Sequence, residues 1–178
     1  MDFESYARAS MRPLLRFAVL LTSDVELAQD LVQEAYLRAL RYQHSYQAGT
    51  NMKAWLFAIM RNLFWDRFKG SRKEDVSLDD VGEFVLYEKL RDEGARPEAD
   101  VLDKLAASEV VTAVEKLPPL HREVVLLVDV EGFSYKDAAQ TLGVPIGTVM
   151  SRLHRGRGRL RDKLAPYAPG QGLAPMTG

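Results

Sequence analysis

Between Phe133 and Leu164 the residue pattern narrows the local structure to a single supersecondary unit. Ser134-Tyr135-Lys136-Asp137 reads as a capping box, with Asp in place of the usual Glu, opening a short helix over Tyr135–Leu142. Gly143-Val144-Pro145 is a turn, and a long helix follows from Ile146 to Leu164. Ala138 and Ala139 are small where two helices must cross closely, and Leu142, Val144 and Val149 can fill the angle between them. This is the pattern of a helix-turn-helix. On the second helix Val149, Leu153, Gly156, Leu160 and Leu164 share one face, and Thr148, Ser151, Arg152, Arg155 and Arg159 fall largely elsewhere. From Arg152 to Lys163 six basic residues stand against one acid, Asp162. An Arg-rich helix alone is more often a solvated surface. Joined to the turn and the small residues, it suits the major groove, where arginines reach phosphates and guanine edges. Gly156 and Gly158 each cost roughly 0.5–1 kcal/mol of helix stability relative to Ala, so fraying is expected at this helix's end.

The rest of the chain is also helical in period. Leu14, Leu15, Phe17, Ala18, Leu20 and Leu21 follow Pro13. Ser23-Asp24 reads as an N-cap, and Leu27, Leu31, Ala35 and Leu40 continue a buried stripe through about Arg41. A loop is expected over Tyr42–Thr50, and a third long helix over Met52–Lys69. Further on, Val110, Val111, Val114 and Leu117 form a stripe, Pro119 suits a first helical turn, and residues 120–130 read as one apolar helix stopped by Gly132.

Charge divides the chain in three. Residues 1–72 carry ten Lys/Arg against seven Asp/Glu, residues 73–108 five against eleven, and residues 109–178 nine against seven. The fold class expected is therefore all-α: two small helical domains, 1–72 and 105–165, joined by a flexible acidic linker over 73–104, with a disordered tail over 166–178.

Several function classes fall away. The chain has no cysteine, which excludes disulfides, a thiol nucleophile and Cys-ligated zinc and fits a cytoplasmic setting. No apolar run approaches the ~18 residues of a membrane span, and Met1–Glu4 does not open a signal peptide, so no membrane insertion is expected. His44, His121 and His154 lie in separate elements without metal-ligand spacing, and there is no phosphate-binding glycine loop. No enzyme, metal or cofactor is expected.

Residues 132–157, from Gly-Phe-Ser-Tyr-Lys-Asp to Leu-His-Arg-Gly-Arg, resemble the fourth domain of extracytoplasmic-function sigma factors of the sigma-70 family. Leu117-Pro118 and His121–Val124 fit that domain too. Independently, Asp30–Ala39 resembles the core-polymerase-binding helix of sigma domain two, and Ala54–Asn62 the promoter-melting helix after it. Together the motifs cover roughly 5–72 and 105–165.

The resemblance implies a subunit that binds core RNA polymerase and directs promoter-specific initiation, in a stress or environmental response and with an anti-sigma factor as a further partner. It places Asp30, Gln33, Glu34 and Arg41 on core polymerase. It places Tyr46, Thr50, Asn51, Lys53, Arg61, Asn62, Trp65 and Arg67 at the downstream promoter element and its melted strand. Aromatic rings beside cations suit single-stranded bases, and an Asn carries a donor and an acceptor for a flipped base. Trp55, Phe57 and Phe64 are expected mainly in the core. Contacts to the duplex upstream element fall on Thr148, Met150, Ser151, Arg152, His154, Arg155 and Arg159. Met150 departs from the family, where Lys or Arg is common. The linker acids, among them Asp79, Asp80, Glu83, Asp92 and Glu93, suit a basic path through polymerase or pairing with the helix at Arg152–Arg159.

Two other readings compete. A transcription regulator with a helical N-terminal sensor domain would hold a ligand in the first block and bind duplex DNA without polymerase. A protein-interaction module would bind a partner and support no transcription.

Overall fold

The structure, a computed structural model, describes residues 2–69 and 107–167. The expected linker with its acids, and the tail beyond 167, lie outside the described residues. Eight α-helices and no strand occur among the described residues: α1 (Phe3–Ala9), α2 (Met11–Thr22), α3 (Val25–Tyr42), α4 (Met52–Lys69), α5 (Ala107–Glu115), α6 (Pro119–Val125), α7 (Tyr135–Leu142) and α8 (Ile146–Leu164).

Local chemistry accounts for most boundaries. The Asp2 carboxylate accepts from the Ser5 amide at 3.0 Å and starts α1, and the hydrogen bonds from Ser5 hold its carboxyl below the ordinary carboxylate range. Asp24 starts α3 by accepting from Leu27 N–H at 3.1 Å. Pro119 opens α6. The Ser134 hydroxyl accepts from Asp137 N–H at 3.0 Å at the start of α7, and Gly143 ends that helix in the left-handed region at φ 65°.

The helix expected over residues 120–130 is in fact two segments. After Val125 the backbone loosens into a π turn over Leu126–Val130, closed by Glu131 N–H on Leu126 O at 2.9 Å. The extra residue re-aims the end of the helix. Asp129 meets Arg157 of α8 at 2.6 and 3.0 Å, while Glu131 faces the N-terminal block. Gly156 also behaves differently from the expectation. A Cβ there would lie 2.7 Å from Val125 Cγ2 and 3.4 Å from His121 O, so Gly156 is where α8 crosses α6 closely, not a site of fraying. Gly158 has open space around it.

The two blocks share one core. Leu14, Phe17, Leu21, Leu31, Phe57, Met60 and Phe64 pack in the same buried cluster as Val114, Leu117, Val124–Leu127, Phe133, Leu142 and Leu153. Each large side chain buried there contributes on the order of 1.5–3 kcal/mol. Helix α4 explains how. It has apolar residues on nearly every side, as a helix covered on several faces must. Leu56, Phe57, Met60, Leu63 and Phe64 are all buried, and the Phe57 and Phe133 rings lie 5.1 Å apart across the seam between the blocks. A smaller cluster of Ala7, Ala39 and Leu56 seats α1, with Phe3, Tyr6 and Trp55 packed against it.

Candidate nucleic-acid interface

Helix α4 and the loop before it carry most of the residues expected at the downstream element, and the structure divides them between two sides. Asn62 and Arg67 are exposed, and Arg67 reaches Glu34 of α3 at 2.9 Å. In the preceding loop the Tyr46 hydroxyl donates to Thr50 O, and the Tyr46 ring packs on Trp55 at 5.5 Å. Trp55 is half-buried between Tyr46 and Phe3, so it is shared between core and loop.

On the other side, Asn51, Lys53, Arg61 and Trp65 turn toward the C-terminal block. The Arg61 guanidinium forks onto Glu123 of α6, with Nε to Oε2 at 3.0 Å and Nη2 to Oε1 at 3.1 Å. The Trp65 indole N–H donates to the same Oε2 at 2.8 Å, and Arg61 also stands 5.7 Å from the Trp65 ring centre. The Glu123 side chain is 0% exposed. Lys53 donates to Glu131 O at 3.0 Å and lies 3.7 Å from its Oε2, above the Phe57 and Phe133 rings. The other partner of Glu131 is Arg16, at 2.8 and 2.9 Å, and this carboxylate strengthens the proton affinity of the Arg16 guanidinium against the cost of burial. Asn51 Nδ2 donates to Asp137 Oδ2 at 3.1 Å. Asp137 was expected to close the capping box; its carboxylate instead reaches across the seam.

Residues outside the expected set complete this seam. Arg122 donates to the carbonyls of Leu21 (2.7 Å), Val114 (3.2 Å), Glu115 (2.5 Å) and Leu117 (2.8 Å), tying the end of α2 to the α5–α6 corner. Burial pushes its pKa down, and nearby Glu115 opposes the shift. Thr141 donates to Ala54 O at 3.3 Å. A signal for Glu123 existed in the sequence. It is an acid beside the run Val124-Val125-Leu126-Leu127, where a charge needs a buried partner. Nothing local could say that the partner was 62 residues away.

The face of α3 remains open. Asp30, Gln33 and Arg41 are exposed, and Leu37 on the same helix is 57% exposed. Glu34 is engaged by Arg38 at 3.0 Å and by Arg67. On α8 the expected reading residues are mostly covered. Met150, Ser151 and Arg152 are buried, Thr148, His154 and Arg155 are half-buried, and Arg159 is exposed. The Ser151 hydroxyl donates to Thr148 O at 3.1 Å. Among the described residues no helix is long and apolar enough to cross a membrane.

Comparison with known proteins gives the following. The family model described as sigma-70 region 2 matches residues 6–74, and that of sigma-70 region 4 matches residues 107–160. The chain is 38% identical over 167 residues to the ECF RNA polymerase sigma factor SigE of Mycolicibacterium smegmatis, covering 94% of this chain and 63% of that protein. It thus spans just under two thirds of that relative's length. It is also 38% identical over 152 residues to the ECF RNA polymerase sigma factor EcfG of Rhodopseudomonas palustris, covering 85% of this chain and 79% of the relative. Among solved structures it resembles the sigma factor RpoE of Bartonella quintana, crystallised with the anti-sigma factor NepR, with a TM-score of 0.69 and 30% identity over 92% of this chain and 97% of the other.

Proposed function

The chain belongs to the ECF RNA polymerase sigma factors of the sigma-70 family, and from that premise we propose that it binds core RNA polymerase and directs initiation at a particular set of promoters. One observation carries the reading. A region that resembles the core-binding and melting part of a sigma factor precedes, on one chain, a region that resembles its duplex-reading part. In this reading α3 presents Asp30, Gln33, Glu34 and Arg41 to the polymerase. Loop 46–53 with Arg61, Asn62, Trp65 and Arg67 engages the downstream element as single strands form. Helix α8 reads the upstream element in the major groove through Thr148, Met150, Ser151, Arg152, His154, Arg155 and Arg159. The division of labour is one of domains: 1–72 melts, 105–165 reads the duplex, and 73–104 joins them.

The protein acts without chemistry of its own and in the cytoplasm, where polymerase and promoter are. An anti-sigma factor is a further partner, as in the Bartonella relative's complex, and response to stress follows from such control. Transcription in vitro with core polymerase on a genomic promoter library tests the proposal. Discrete start sites that depend on this chain are expected. Duplex binding that is indifferent to polymerase, with no transcript, would replace the proposal with a helix-turn-helix regulator.

A further inference from the structure

We propose that Ile146 is a specificity residue for the upstream element, whose side chain selects a thymine by packing on its 5-methyl group in the major groove. The proposal rests on the reading of α8 as the helix that enters that groove. Ile146 lies outside the residues given to the upstream element above. Yet it is the first residue of α8, and its large apolar side chain is left 46% exposed. Residues at the start of such a helix meet base edges. The core-facing residues of the helix behave differently. Val149, Leu153, Leu160 and Leu164 are buried in the shared core, whereas Ile146 belongs to neither buried cluster among the described residues. Met150, one turn further along, is 5% exposed, so the selection is assigned to Ile146 alone.

The turn that carries Ile146 is anchored on both sides. The N–H groups of Thr148 and Val149 donate to Pro145 O at 3.0 and 3.2 Å. Val144 packs against the core, and Val149 is fully buried in it. Ile146 is β-branched, so its χ1 has one strongly preferred setting in a helix and little freedom is lost on contact. Its neighbours Pro145 and Gly147 bring no side-chain donor or acceptor. What this edge can recognise is therefore apolar. The thymine methyl is the apolar group that base pairs display in the major groove. Set against the N4 amine of cytosine or the acceptors of a purine, the same side chain would strip water from a polar group and return no hydrogen bond. A thymine in one strand is thus told from the adenine that stands there when the pair is reversed.

Removing one methyl group from the DNA isolates this contact from every other. The probes are copies of a promoter that the chain uses with core polymerase, drawn from the transcription library. In each copy a single thymine of the upstream element, on either strand, is replaced by uracil, which lacks only the 5-methyl group. Equilibrium binding of the holoenzyme is measured by competition at low temperature, before the strands part. With the parent chain, one uracil should weaken binding about three- to fivefold, the worth of about one methyl group taken out of water. With Ile146→Ala the thymine promoter should itself bind more weakly, and the same uracil should cost less than about 1.5-fold, because little apolar contact remains to lose. Ile146→Val keeps the branch at Cβ and should retain most of the uracil penalty. A merely structural role would weaken both promoters alike and leave the penalty as it was. A scan in which no thymine matters, or a penalty equal in the parent and in Ile146→Ala, overturns the assignment. If the parent chain starts no transcript with core polymerase, the functional reading falls and the role of Ile146 falls with it. A promoter that is used but flat in the scan brings down Ile146 alone.

Discussion

Replacing Gly156 with Ala sets two opposing effects against each other, and the structure decides the sign. In an open helix, Gly→Ala stabilises by about 0.8–1.0 kcal/mol. At 156 the added methyl would stand 2.7 Å from Val125 Cγ2, closer than carbon atoms approach, and 3.4 Å from the His121 carbonyl oxygen. Val125 cannot swing away. It is β-branched and therefore stiff at χ1, it is 0% exposed, and its neighbours Val124 and Leu126 are equally buried. Overpacking of this kind costs about 1–3 kcal/mol, so the propensity gain is cancelled and a net loss of up to about 2 kcal/mol is expected. Gly158 lies on the same helix with nothing within 4 Å of a new Cβ, so Gly158→Ala should gain most of the propensity term. The difference between the two variants isolates the packing cost, because the helix and its solvent are shared. Urea unfolding followed by helical circular dichroism measures both, provided the transitions remain cooperative. Val125→Ala combined with Gly156→Ala should lose less stability than the sum of the two single variants, because the new methyl fills the space that Val125 vacates. If Gly156→Ala raises the urea midpoint as much as Gly158→Ala does, the close crossing of α6 and α8 is wrong.

Three further outcomes follow from the same contacts. Arg122→Met should lower stability by about 2–4 kcal/mol, because the carbonyls of Leu21, Val114, Glu115 and Leu117 lose their shared donor; a thermal midpoint within a degree of the parent would refute that role. Asp30→Lys with Glu34→Lys should reduce retention of the chain on immobilised core polymerase. Because the Glu34 pairs with Arg38 and Arg67 are partly exposed, the loss of stability should be no more than about 1 kcal/mol, and undiminished retention would remove this face from the polymerase contact. Asn62→Ala should impair opening of the promoter more than its initial binding; permanganate footprinting that shows an unchanged bubble would take Asn62 out of the melting site.

Helix positions were largely legible from the chain because caps, breakers and periodicity act over a few residues. Asp24, Pro119, Ser134 and Gly143 each make their boundary with groups no more than about four residues away. The same local character made the helix-turn-helix readable, and two ordered motifs made the family readable. Local rules also misled where a longer-range demand overrode them. Gly156 reads as a weak point of a helix until α6 is laid across it, and Asp137 reads as a capping acid until Asn51 reaches it. The pairing of Arg61 with Glu123 and of Arg16 with Glu131 spans 62 and 115 residues. An acid in an apolar helix says that some cation must answer it, because an unpaired buried charge costs several kcal/mol. Which cation answers depends on how α4 and α6 pack across the shared core, and that geometry exists only once both blocks have closed on Phe57 and Phe133.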